Sequence, residues 1–164
     1  MLKVDLKNIH QLLPWFAARE ATVASLIKEV ANRVAQEFLS RLQREWQSQS
    51  SPLAPLGRAY REAKGRAGLD QRILIATGDL LAGLQVFPEQ AAGNNAKVVV
   101  GFPAGARHSS GMAMADLMTI LEYGSPSRGL PARPIFFLTR LKVEGELVRM
   151  AQDELQRGLR ARGW

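Results

Sequence analysis

Thirty residues without a glycine or a proline, Ala17 to Trp46, constrain this chain more than any other feature of its sequence. Across them Val23, Ile27, Val30, Val34, Phe38, Leu42 and Trp46 recur at steps of three or four. A period near 3.6 puts all seven on one helical face, with the polar residues on the other. Pro14 separates this helix from a short preceding turn or helix.

The next residues break that regularity. Gln47 to Gly57 is polar and then proline-rich, which makes a loop. Arg58, Arg61, Lys64, Arg66 and Arg72 then fall within fifteen residues, on a short helix that Gly65 and Gly68 interrupt. They read either as a phosphate-contacting patch or as a solvated face, since Glu62 and Asp70 lie among them. Ile73 to Ile75 is a strand end or a turn. Thr77 is placed to cap a helix from near Asp79, whose charge suits the helix dipole but repels an anion.

Leu84 to Phe87 and Lys97 to Phe102 alternate as strands, and Gly93, Asn94 and Asn95 between them are turn formers. The expectation is an antiparallel hairpin. Residues 103–112 form a flexible loop, ordered only against a neighbour. "MADLMTILEYG" is a helix of about ten residues that Gly124 ends. Pro134 suits the first position of a last helix, along which Leu141, Val148, Ala151, Leu155 and Leu159 recur. Gly145 weakens that helix by about 1 kcal/mol relative to alanine.

The expected fold class is therefore α+β, a small antiparallel sheet flanked by long N-terminal and C-terminal helices. One domain of 164 residues is expected, divided into a helical segment 1–46, a sheet-containing core 47–134 and a C-terminal helix 135–164. Apolar residues make up 46% of the chain, enough for an ordinary core.

Composition closes off several chemistries. There is no cysteine, so disulfides, cysteine nucleophiles and thiolate metal sites are excluded. No apolar run approaches the roughly 20 residues of a membrane span, and no membrane role is expected. "MLKVDLKNIHQLLPW" carries Asp5 and no continuous apolar region, unlike a signal peptide. The net charge of +7 suits either an acidic partner, whether nucleic acid, a membrane surface or a protein face, or simply a soluble basic protein.

The histidines are His10 and His108. A hydrolase would have to pair His108 with Ser109 or Ser110, in a loop with no visible supporting shell. Glu144 with Glu146, and Asp153 with Glu154, lack the three- or four-residue spacing of helical partners, so they read as solvated face. Neither a phosphate-binding glycine loop nor a dinucleotide fingerprint occurs. Aromatics total 7%, little for base stacking. No catalytic, cofactor or metal residue emerges, and the pattern suits a protein that binds macromolecules.

Three stretches carry a resemblance. They are "SPLAPLGRAYREAKGRAG" with Tyr60 and Lys64, "ILIATGDLLAGLQV" with Thr77, Gly78, Leu80 and Leu84, and "LEYGSPSRGLPARPIFFL" with Glu122, Gly124 and Pro131 to Pro134. In this order they resemble the tail-completion or neck proteins of tailed bacteriophages, also described as minor tail components or virion morphogenesis proteins. The resemblance covers about residues 50–140. It departs from the common pattern in having Gly-Ser-Pro-Ser from Gly124, where many members have Gly-Thr. It implies an α+β, non-enzymatic structural protein of the virion with no catalytic, cofactor or metal residues. It further implies a homo-oligomeric ring, a hexamer, at the head–tail junction. Other phage head-completion and tail proteins would adjoin it, DNA would pass without tight binding, and assembly would take place in the host bacterial cytoplasm.

The third stretch holds the candidate subunit-interface residues Glu122, Arg128, Arg133 and Pro134. Its glycines and prolines fix a turn that sets Arg133 at the start of the last helix. From there its fork can reach a carboxylate of a neighbouring subunit, or Glu122 in the same subunit or the next. An intrachain pair, or an arginine covering apolar surface, is the alternative. A second functional reading is a basic nucleic-acid-binding accessory protein using Arg58 to Arg72 with Arg157, Arg160 and Arg162.

Overall fold

The computed structural model describes residues 20–75, 77–88 and 96–163. His10, Pro14 and the turn formers Gly93, Asn94 and Asn95 lie outside the described residues. The architecture is α+β, a two-stranded antiparallel sheet with long N- and C-terminal helices. In chain order the elements are α1 (Glu20–Ser48), α2 (Arg58–Arg66), α3 (Asp79–Gly83), β1 (Gln85–Pro88), β2 (Val98–Gly101), α4 (Met114–Tyr123), a 3-10 turn (Pro126–Arg128) and α5 (Ile135–Ala161).

Helix α1 buries Val23, Leu26, Val30, Val34, Leu39, Leu42 and Trp46, with Ile27 and Phe38 half-buried at the margin. The expected stripe is the observed one, slightly rotated. Gln49 stops the helix in a left-handed conformation, φ 55°. Its amide donates to the Trp46 carbonyl at 2.5 Å and the Ile73 carbonyl at 3.1 Å, and its oxygen accepts from Ile73 N at 2.8 Å. Ile73 to Ile75 is accordingly a turn. Gly65 does not interrupt α2, which runs past it and ends before Gly68, φ 67°. Gly78, φ 89°, caps the short α3, and the Thr77 hydroxyl accepts weakly from Asp79 N at 3.4 Å.

Packing groups the chain into two compact units. One comprises residues 39–85 and 101–143. Trp46, Leu42 and Ile135 are fully buried there, with Leu56, Ile75, Leu80, Leu84 and Met118 around them. Each such side chain contributes about 1.5–3 kcal/mol by leaving water. Lys142 closes on Glu45 at 2.6 Å, and that bond holds the Glu45 carboxyl below its usual range.

The other unit takes in the described residues up to Phe38, those of Val86–Val100, and Glu144 onward. Leu26 lies directly against Gly158, where any Cβ would overlap its side chain. Glu154 accepts from Arg33 at 2.8 Å and Arg157 at 2.7 Å.

Two expectations need correction. The buried line of α5 includes Ile135, Thr139, Val143 and Leu147, whereas Leu141 is 56% exposed and Val148 38%. Leu141 stands two residues from both Thr139 and Val143, nearly on the opposite face. The polar Thr139 conceals the true line from a hydrophobic pattern. Residues 103–112, expected to be an open loop, fold on themselves. Arg107 bridges Ala113, His108 N donates to Met112 O at 2.9 Å, and Met114 N donates to Ala106 O at 2.9 Å.

Candidate interface loop

Between α4 and α5 the chain makes a closed clip. Gly124 begins it at φ 77°, ψ 179°, a region open essentially to glycine alone. A Cβ there would stand 2.8 Å from both Ala132 N and Leu130 O. Ser125 and Leu130 exchange two backbone bonds of 2.9 and 3.0 Å, with the 3-10 turn between them. Arg133 N then donates to Leu121 O at 2.7 Å, returning the chain to the end of α4. Pro134 stands just ahead of α5, and its carbonyl accepts from Leu138 N at 2.9 Å.

Glu122 occupies the inside of this clip and is buried. Its two oxygens accept from Phe136 N at 3.2 Å and Phe137 N at 2.9 Å. A helix start has unpaired N–H groups and a partial positive charge, and this carboxylate, reaching in from α4, answers both. Burial raises its pKa above the ordinary carboxylate value, and the N–H donors only partly oppose that.

Arg133 is buried as well. Its Nε donates to the Ala54 carbonyl at 2.9 Å and its Nη2 to the Pro55 carbonyl at 3.2 Å. Desolvation pulls its pKa below the ordinary arginine value. Glu122 and Arg133, one expected alternative being a bond between them, do not pair with each other; each is held by backbone groups of its own chain. Of the four candidates only Arg128, at the tip of the clip, is exposed, while Pro134 is half-buried. The outward side of this region is apolar: Tyr123 is 78% exposed and Phe137 51%, with Leu130 and Leu141 also exposed.

The basic run is sorted in a similar way. Lys64 is buried, and its Nζ donates to the carbonyls of Arg72, at 2.9 Å, and Ile75. Burial pulls its pKa down, with Asp70 opposing. Arg72 grips Asp70 at 2.5 Å, which holds that carboxyl at about 2. Arg58 pairs with Glu62 at 2.8 Å. At the C-terminus Arg157 pairs with Glu154, while Arg162 reaches Glu29 at 3.9 Å and the Gly158 carbonyl at 3.0 Å. The sequence offered no sign that Lys64 is internal, since a lysine between small residues reads as surface.

His108 Nδ1 lies 3.1 Å from Ser110 N, which donates to it, and 3.0 Å from Ser110 Oγ. That is a local turn, and no bond from a carboxylate orients the ring among the described residues. No group of three His, Cys, Asp or Glu side chains among them could hold a metal ion. None of the described helices is long and apolar enough to cross a membrane.

Comparison with protein-family models, with curated proteins and with solved structures gave no match. The roles of Glu122, Gly124 and Arg133 rest on geometry: the first caps α5, the second admits the returning strand, and the third clasps residues 54 and 55.

Proposed function

We propose that the chain is a non-enzymatic structural subunit of a tailed-bacteriophage virion. Copies assemble into a ring, a hexamer, at the head–tail junction, where it joins tail to head and leaves a passage for DNA. The subunit is made in the host bacterial cytoplasm and ends in the virion beside head-completion and tail proteins.

The observation that carries the assembly reading is the distribution of exposed apolar side chains. Tyr123, Leu130, Phe137 and Leu141 are all exposed within residues 123–141, the stretch that carries the strongest part of the resemblance. Its polar motif residues, Glu122 and Arg133, point inward. Exposed apolar clusters mark contact surfaces, and a second copy of this chain is the occupant that a ring requires. The three stretches are joined within the chain: Arg133 of the third holds Ala54 and Pro55 of the first, and Lys64 of the first holds Ile75 of the second.

The test is absolute mass by light scattering with electron micrographs of the same sample. A hexamer has six times the subunit mass of 18.1 kDa and an open centre. A Phe137→Asp, Leu141→Asp double variant should fall to monomer with its circular dichroism unchanged. A parent protein that stays monomeric at its highest soluble concentration, with a variant indistinguishable from it, would remove the support for a ring.

A further inference from the structure

Helix α2 turns part of its charge inward and leaves part outward. Lys64 and Arg72 hold backbone carbonyls, and Arg58 holds Glu62. Arg61 and Arg66 are exposed and make no ion pair among the described residues. Together with Glu62, Gly65 and Gln71 they line an open groove of about 520 Å³.

The chemistry of that groove is specific. Glu62, the one carboxylate among its lining residues, is bound by Arg58, and Asp70 by Arg72. Gly65 presents bare backbone, and the Gln71 amide nitrogen lies 2.8 Å from where a Cβ of residue 65 would stand. An uncharged donor therefore occupies the space over Gly65, in a groove that two arginines also line.

We propose that this groove is a contact site for the phosphodiester backbone of a nucleic acid. Arginine forks match phosphate oxygens in pairs, and the Gln71 amide, seated where a side chain at residue 65 would stand, supplies a third donor. Contacts of this kind position a strand without reading its bases. The inference is independent of ring assembly, because α2 carries none of the apolar residues placed at the subunit contact.

Fluorescence anisotropy of a labelled 20-base-pair duplex with the full-length chain, titrated with salt, is the test. The parent should bind at low salt and weaken as salt rises. Arg61→Ala with Arg66→Ala should lower the slope of log affinity against log salt by about 1.8, two contacts at roughly 0.9 each. At 0.1 M salt that corresponds to a loss of roughly 60-fold if counterion release is the whole of each contact. Glu62→Gln should tighten binding, because it removes the acid and releases Arg58. The double variant should keep the parent's circular dichroism and solution mass. No binding by the parent, equal affinity and slope in the double variant, or binding to phosphatidylserine vesicles but not to the duplex would each overturn the proposal.

Discussion

Replacing Arg133 with alanine should weaken the fold itself rather than bare a surface. The side chain makes two hydrogen bonds, to Ala54 O and Pro55 O. A bond from a charged donor contributes about 1.5–3 kcal/mol, and its loss strands a buried carbonyl. Two such losses come to roughly 3–6 kcal/mol. Relief of the buried guanidinium's desolvation offsets part of that, so a net cost of about 4 kcal/mol is expected. A chain of this length has roughly 8–25 kcal/mol of stability at 0.05–0.15 kcal/mol per residue, so the variant should remain folded. Unfolding entropy of about 2.1 cal/mol/K per residue turns the loss into a fall in Tm of about 12 °C. Urea unfolding followed by circular dichroism measures the first figure and a thermal scan the second. Arg133→Lys, which keeps the cation and one donor direction, should lose about half as much. If Arg133→Ala unfolded within about 0.5 kcal/mol of the parent while its solution mass dropped, the arginine would be serving a neighbouring subunit and the clasp would be wrong.

Glu122 makes a prediction whose sign is opposite to the usual carboxylate case. Its folded pKa is raised by burial, so its contribution to stability is fully present below the unfolded value, about 4.3, and is lost as pH rises through the folded value. Glu122→Gln lacks that titration, and its Tm should gain on the parent's between pH 4 and 7; a variant that loses ground instead would contradict the assignment. Gly145 and Gly158 both lie inside α5 but should respond oppositely to alanine. At Gly145 nothing stands within 4 Å of the new Cβ, and Tm should rise by the helix-propensity gain of about 1 kcal/mol; at Gly158 the overlap with Leu26 should outweigh that gain and lower it. Thr139 Oγ1 is fully buried without a hydrogen bond among the described residues, so Thr139→Val should be neutral or stabilising by up to about 1 kcal/mol, and a lower Tm would show that the hydroxyl has a partner.

The parts of the fold that were legible in the sequence are those written in apolar spacing. The α1 stripe, the strand pair and the end of α4 at Gly124 depend on periodicity and backbone freedom, which single residues declare. The C-terminal helix itself was legible, but its buried face was misassigned. A fully buried threonine broke the apolar line, and Leu141 supplied a plausible false one. The candidate site was harder for a related reason. Charged residues are seldom fully buried unless paired, so Glu122, Arg133 and Lys64 read as surface groups awaiting charged partners. Their actual partners are backbone N–H and C=O groups of other segments. Main-chain groups are the same at every position, so no residue letter marks where they will be offered.

The clasp at Arg133 also bears on when the subunit can form. It joins positions 79 residues apart, Lys142 closes on Glu45 across 97, and Glu154 on Arg33 across 121. The first needs the chain only as far as Arg133, just ahead of α5, whereas the other two wait for α5 itself. At 5–20 residues per second the interval between the end of α1 and the end of α5 is roughly 6 to 23 s. During that time the apolar face of α1 lacks its cover, and the nascent chain invites capture by a chaperone or by another nascent copy. The fold is therefore completed late, by contacts that its last described helix brings.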